Sequence, residues 1–274
     1  MHKTAGLLFI VAIAAFSVVP AIAAPDAPAE QLRDVAAIDA AIASPDRPKA
    51  DLERDAAAKP REVLAFLGVM PGMRVADMFS AGGYYTELLA RVVGVKGQVV
   101  AYNNPPYAKF AEKGIAARYA DNRLGNVRQV TAEIDELQLP PDSLDAAVFI
   151  MSFHDTYWRP ADGTWNRTDT AEMLKRLKVA LKPGGVVVVQ DHVANPGGDT
   201  AKVVDQVHRI DPAVVRAAFE RAGFVFDRAS EVLAHPGDDH SKLVFDEAIR
   251  GKRRGKNGGA RHCGHHSVTL ILMG

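Results

Sequence analysis

Twenty residues, Arg74 to Val93 (RVADMFSAGGYYTELLARVV), constrain the fold of this chain more than any other stretch. Arg74 to Phe79 is a short apolar run ending in a carboxylate and an aromatic, the pattern of a buried parallel strand. Ser80 to Gly83 is a small-residue turn. From Tyr84 to Val93, Tyr85, Leu88, Leu89 and Val92 recur at helical spacing, so a helix leaves the turn. Strand, glycine-bearing turn and helix form the first half of a βαβ unit. In such sheets a ligand lies at the strand's carboxyl end, against the helix N-terminus.

The rest of the chain supplies the remaining strands and helices. A helical pattern over Glu30 to Ala43 places Leu32, Val35, Ile38 and Ile42 on one face. Asp51 to Ala58 is a charged stretch, and Pro60 to Leu67 a short helix opened by proline. Strands are expected at Gly97 to Tyr102, Asn126 to Thr131, Ala146 to Met151, Gly185 to Gln190, Phe224 to Val232 and Ser267 to Met273. Helices are expected at Tyr107 to Ala120, Thr168 to Leu181 and Pro212 to Ala222, the last capped by Asp211.

At the other end of the chain, Lys3, the apolar run Ala5 to Val19 and Ala21-Ile22-Ala23 have the order of a secretory signal peptide with its cleavage site. An uncleaved amphipathic anchor is the alternative. Export to the periplasm or beyond is expected, with no stable membrane span once the leader is removed. The division expected is a leader at 1–23, a helical extension at 24–72 and one α/β domain at 73–274. Lys plus Arg and Asp plus Glu both number 33, so no basic footprint marks a nucleic-acid binder. One cysteine, Cys263, allows no internal disulfide and no cysteine-based zinc site. Arg250 to His266 reads as a mobile hairpin loop; His262, His265 and His266 could alternatively form a metal or anion patch. No metal is assigned.

The lettering of the turn, Asp77 followed by Ala81, Gly82 and Gly83, resembles the first motif of class I S-adenosylmethionine-dependent methyltransferases, [D/E]-x-G-x-G-x-G, with Phe79 and Ala81 replacing two glycines. VADMFSAGGYYTELL with the preceding KPREVLAFLGVMPGMR resembles more closely a group of secreted, predicted methyltransferase-like proteins. Asp142-Ser143-Leu144-Asp145 before an apolar strand, and Leu181-Lys182-Pro183-Gly184-Gly185 before another, fit the same superfamily. The resemblance implies a Rossmann-like, doubly wound, seven-stranded, mostly parallel sheet with its last strand antiparallel. It implies S-adenosylmethionine held by Asp77, Ser80, Ala81, Gly82 and Gly83, with Asn103 in the place of the ribose-binding acid and Glu133 in that of the acid facing the adenine. A left-handed Ala81 costs about 1–2 kcal/mol relative to glycine, and a Phe79 ring aimed at the ligand would fill its place. The turn is therefore expected to keep φ negative at both positions, or to bind its ligand differently.

Chemistry is expected where two strands end. One closes in Ser152-Phe153-His154-Asp155-Thr156-Tyr157-Trp158, the other in Asp191-His192. If the two strands are neighbours, His154, Asp155 and His192 meet at one rim, facing the Asp77 turn. His154 is the favoured base, because Phe153, Tyr157 and Trp158 could wall off water. The function implied is methyl transfer to a small-molecule acceptor. Two alternatives stand beside it: a binding protein on the same fold, favoured by Phe79, Ala81 and Asn103, and a hydrolase using His154, Asp155 and His192.

Overall fold

The computed structural model describes residues 28–165, 168–234, 237–250 and 267–273. The expected leader and residues 251–266 lie outside the described residues.

Three helices come first: α1 (Pro28–Ile42), α2 (Lys49–Ala58) and α3 (Pro60–Leu67). The α/β part follows as β1 (Arg74–Met78), α4 (Tyr84–Val93), β2 (Gln98–Asn103), α5 (Pro105–Phe110), α6 (Glu112–Arg118), β3 (Val127–Thr131) and β4 (Leu144–Ile150). It continues with α7 (Thr170–Ala180), β5 (Leu181–His192), α8 (Thr200–Val207), α9 (Pro212–Arg221), β6 (Val225–Leu233) and β7 (Ser267–Met273). The sheet order is β3-β2-β1-β4-β5-β7-β6. The first five strands pair in parallel, and β7 runs antiparallel to both β5 and β6. The order reverses at β1, which sits between β2 and β4. Their carboxyl ends therefore open the crevice in which such sheets bind ligands.

Each face of the sheet has its own core. Met78, Tyr102, Phe149 and Val189 meet Met173, Leu174 and Leu177 of α7 and Phe219 of α9 on one side. Val75, Val99 and Val148 meet Leu88 and Leu89 of α4, Leu64 of α3 and Ile38 of α1 on the other. The N-terminal helices thus complete one layer of the fold.

Several local outcomes differ from the sequence pattern. Asp51 to Ala58 is a helix whose Asp51 is buried. The single helix expected over Tyr107 to Ala120 is two short ones that meet at Ala111. Pro105 and Pro106 start the first, and the Asn104 side chain caps it by accepting from the Tyr107 N–H at 3.0 Å. β5 begins at Leu181, with Lys182 to Gly185 looped out between the Leu144–Leu181 and Ala146–Val186 pairs. Helix α8 has no counterpart in the sequence reading. Asp211 caps α9 as expected, accepting from Ala213 N–H at 2.8 Å. Among the described residues, no helix is long and apolar enough to cross a membrane.

Candidate active site at the carboxyl ends of β1, β2, β4 and β5

The turn after β1 holds three left-handed residues at alternate positions: Phe79 (φ 56°), Ala81 (φ 48°) and Gly83 (φ 79°). The expectation of negative φ at Phe79 and Ala81 is overturned. The backbone keeps the course a glycine ladder would take, although two of its residues carry side chains, at about 1–2 kcal/mol of strain each. Packing holds it there. The Phe79 ring points into the core, 5.4 Å from the rings of both Tyr102 and Tyr107, so it does not fill the ligand's place. Ser80 N–H donates to the Tyr102 carbonyl at 2.9 Å, and Gly83 N–H to the Ser80 carbonyl at 3.0 Å. At Gly83 a side chain is doubly disfavoured: φ is 79°, and a Cβ would lie 2.8 Å from the Tyr119 hydroxyl, which would have to shift. Ser80, Ala81 and Gly82 stay half-buried, open on one side.

Two expected ligand groups support the turn directly. Asp77 is 2% exposed and accepts from the Thr86 hydroxyl of α4 at 2.6 Å. Burial pushes its carboxyl up to about 7, against the opposing pull of the Thr86 bond. Asn103, at the end of β2, accepts from the Ala81 N–H at 2.9 Å and donates to Ser80 Oγ at 3.1 Å. Its amide is therefore a strut between β2 and the turn. Glu133 is half-buried just beyond β3, on the same rim.

The second half of the site stands where β4 and β5 end. Asp191 accepts from the His154 backbone N–H at 2.8 Å and lies 2.7 Å from His154 Nδ1. The other ring nitrogen, Nε2, lies 3.4 Å from Asp155, which also accepts from the Tyr107 hydroxyl at 2.6 Å. Burial alone would lower the His154 pKa; the charges of Asp155 and Asp191 and the Asp191 hydrogen bond outweigh it, and His154 rises to about 9. The imidazole that the sequence favours as a base is thus a cation at neutral pH, with a carboxylate at each nitrogen. His192 is drawn to the same rim: its backbone N–H donates to Asp191 at 2.8 Å, and its ring centre lies 6.4 Å from that of His154.

Tyr107 links the two halves, with its ring on Phe79 and its hydroxyl on Asp155. Beside it, Trp165 packs at 5.0 Å from Tyr107 and 4.9 Å from Trp158, giving the rim an aromatic wall. The sequence shows Tyr107 only as a helix residue, because nothing local signals that α5 crosses to the β4 end. His208, which ends α8 next to His154, carries no local signal of that contact either.

Behind the turn lies a buried charge cluster. Arg118 of α6 donates to the Gly82 carbonyl at 2.9 Å and pairs with Asp51 of α2 and Glu87 of α4. Glu87 also meets Arg91 and Arg123 at 2.8 and 2.7 Å. Burial would raise the Glu87 pKa, but hydrogen bonds from Arg123, Arg118 and Arg91 lower it to about 2. A groove of about 810 Å³ opens near the amino ends of β1, β2 and β4, between Arg74, Arg128 and Arg176. None of Asp77, Asn103, His154 and Asp191 lines it.

The arrangement has relatives. Residues 77–189 match the methyltransferase domain family. The chain is 27% identical over 189 residues to a ubiquinone/menaquinone biosynthesis C-methyltransferase from Marinomonas sp., covering 68% of this chain and 70% of that one. It is 32% identical over 183 residues to the protein of the same name from Idiomarina loihiensis, covering 66% and 67%. Among solved structures it resembles an S-adenosylmethionine-dependent methyltransferase from Aquifex aeolicus, with a TM-score of 0.54 at 19% identity over 82% of this chain and 93% of that one. One from Mesorhizobium loti gives 0.53 at 17% identity over 80% and 99%. At those identities the structures speak to the fold alone.

Proposed function

The chain belongs to the class I methyltransferase superfamily, and on that premise we propose that it transfers a methyl group from S-adenosylmethionine to a small-molecule acceptor at the His154–Asp191 rim. One observation carries this reading. The turn keeps left-handed residues at 79, 81 and 83 even where glycine has been lost. That turn stands at the carboxyl end of β1 and the N-terminus of α4, the place where sheets of this topology bind their ligands.

The residues present fit the donor. Ser80, Ala81 and Gly82 form a half-open backbone cradle at the N-terminus of α4, where N–H groups gather. By this reading Asp77, behind the cradle, would meet the donor's amino group, and Glu133, half-buried beyond β3, would face its adenine. Asn103 aligns the cradle by fixing Ala81 and Ser80. Bound there, the donor supplies an electrophilic methyl group on a sulfonium. The protein's part is to orient and to exclude water. Trp158 and Trp165, half-buried beside the buried Tyr107, offer flat apolar surface to an acceptor, and the neighbouring carboxyl groups favour the charged form of His154 at the rim. Asp191 holds that imidazolium in place, and Asp155 joins it to Tyr107.

Calorimetry with S-adenosylhomocysteine tests the reading. Binding by the wild type, weakened about tenfold or more in Asp77→Ala, is expected, as for loss of a charge-assisted hydrogen bond of about 1.5–3 kcal/mol. No binding at millimolar ligand would remove the donor from this chain. Binding without turnover of any acceptor would favour the binding-protein reading, which the neutral Asn103 supports.

The same proposal includes export. The Lys3, apolar run and Ala21-Ile22-Ala23 series supports it. Fractionation and N-terminal sequencing test it: a periplasmic chain beginning near Ala24 is expected, and a cytoplasmic chain starting at Met1 would end it.

A further inference from the structure

Methyl transfer to a hydroxyl or amine releases a proton, and the rim needs a group able to take it. His154 already carries one, with carboxylates at both nitrogens. His154 and His192 are also 4% and 7% exposed. A third imidazole has neither restriction. His208 caps the C-terminus of α8 and is half-buried, with its ring centre 5.6 Å from that of His154, edge to face. Trp158 packs on it at 5.1 Å and Phe245 at 5.0 Å. Its Nδ1 is buried with no partner in hydrogen-bond geometry among the described residues. Its backbone is left-handed, φ 51°, a conformation that a non-glycine residue holds only where its surroundings impose it. On the Phe245 side, Val244 N–H donates to the Val207 carbonyl at 3.2 Å and fixes that chain over the ring.

We propose that His208 is the group that receives the acceptor's proton. This rests on the methyltransfer reading and adds a residue to it. In the step, the acceptor's O–H or N–H proton passes to an imidazole nitrogen of His208. The acceptor atom's freed electron pair forms the bond to the methyl carbon, and the carbon–sulfur electron pair stays on sulfur, leaving a neutral thioether and an imidazolium. His154 suits the arrangement, because a cation beside His208 keeps the second imidazole neutral before the reaction. The groups facing His208 are His154 and Asp155 from the β4 end and Asp205 from its own helix. Burial and the His154 charge lower its pKa, against weaker opposite pulls from Asp155, the Val204 carbonyl and Asp205.

The experiment needs no knowledge of the natural acceptor. Histidine-labelled full-length protein is titrated by NMR, and 4-nitrophenol serves as a probe whose absorbance separates phenol from phenolate. His208 is expected to titrate below its ordinary value of about 6.5, and to move up in His154→Gln. The His154 cation beside His208 favours an anion there, so wild-type protein is expected to hold more of the bound probe as phenolate at pH 6 than free solution does. His208→Asn and His208→Gly, both residues that tolerate left-handed backbone, are expected to bind it within about threefold of wild type but to form at least tenfold less phenolate. Either variant ionising the probe as wild type does, a His208 pKa at or above 6.5, or no probe binding to the wild type would overturn the proposal. S-adenosylhomocysteine binding is measured in parallel. If it fails while probe ionisation still depends on His208, the proton-accepting role stands and the methyl-transfer reading falls.

Discussion

The backbone of Gly114 rests on the backbone of Gly82: a Cβ added at Gly114 would lie 3.2 Å from the Gly82 Cα. Helix α6 therefore presses directly on the cradle, with Arg118 gripping the Gly82 carbonyl one turn further on. Gly114→Ala keeps the helix but forces the two backbones apart by a few tenths of an ångström. Overpacking of this kind costs about 1–3 kcal/mol, less whatever alanine returns as a better helix former. A net loss of roughly 1 kcal/mol in urea unfolding, with S-adenosylhomocysteine binding weakened several-fold, is the expected result. Unchanged binding would show that α6 does not shape the cradle.

Phe79 and Ala81 share a backbone conformation but should answer differently to glycine. Ala81→Gly removes left-handed strain of about 1–2 kcal/mol and gives back roughly 0.5–1 kcal/mol through the freer unfolded chain. It should be neutral or stabilising by up to about 1 kcal/mol. Phe79→Gly relieves the same strain but deletes a ring packed on Tyr102, Tyr107 and Phe149. Losing a buried Phe costs about 3–5 kcal/mol, and glycine's freer unfolded chain adds roughly 0.5–1 kcal/mol, so a net loss of roughly 3 kcal/mol is expected. Denaturant midpoints at constant slope separate the two.

Asp77 should give the free protein an unusual acid preference. Unfolded, its carboxyl ionises near 3.8; folded, near 7. Between those values the folded chain holds the extra proton, so this group's contribution is most favourable at the acid end and declines as pH rises from about 4 to about 7. The full span corresponds to roughly 4 kcal/mol. Asp77→Asn should abolish the slope and be the more stable protein at pH 8, as urea unfolding at pH 5 and pH 8 would show. A slope that survives the substitution would assign it elsewhere.

Glu87 works in the opposite direction and in a lower window. Its folded pKa of about 2, against 4.5 ordinarily, gives stability that is complete above about 4.5 and lost as pH falls through 2. Glu87→Gln leaves Arg91, Arg118 and Arg123 without their shared carboxylate. Breaking a buried pair costs about 3–5 kcal/mol, so a fall of that size at pH 7 is expected in chemical denaturation.

Much of this architecture is legible in the residues. Tyr84 to Val93 and Pro60 to Leu67 have the predicted bounds, because apolar spacing, proline and the following glycine act within a few residues of one another. The meeting of His154 with His192 follows from two apolar strands being neighbours. What escaped depends on contacts across the chain. Asp51 and Asp55 look like a solvated face until Arg118 and Arg47 arrive from distant positions to pair with them. The left-handed backbone of Phe79 is invisible in its lettering, since the cause is a ring cluster assembled from β1, β2, α5 and β4. The cation on His154 likewise needs Asp191, supplied by another strand.

The link from Asp51 through Arg118 to Gly82 bears on where this protein divides. A cut near residue 72 separates helices from sheet on paper, but it would strip one carboxylate from the guanidinium that holds the cradle. That link predicts that the extension and the cradle unfold together. Backbone amides of α2 and of Gly82 to Thr86 should therefore exchange with solvent through the same opening event, and an isolated 73–274 fragment would have a loosened cradle before any ligand reached it.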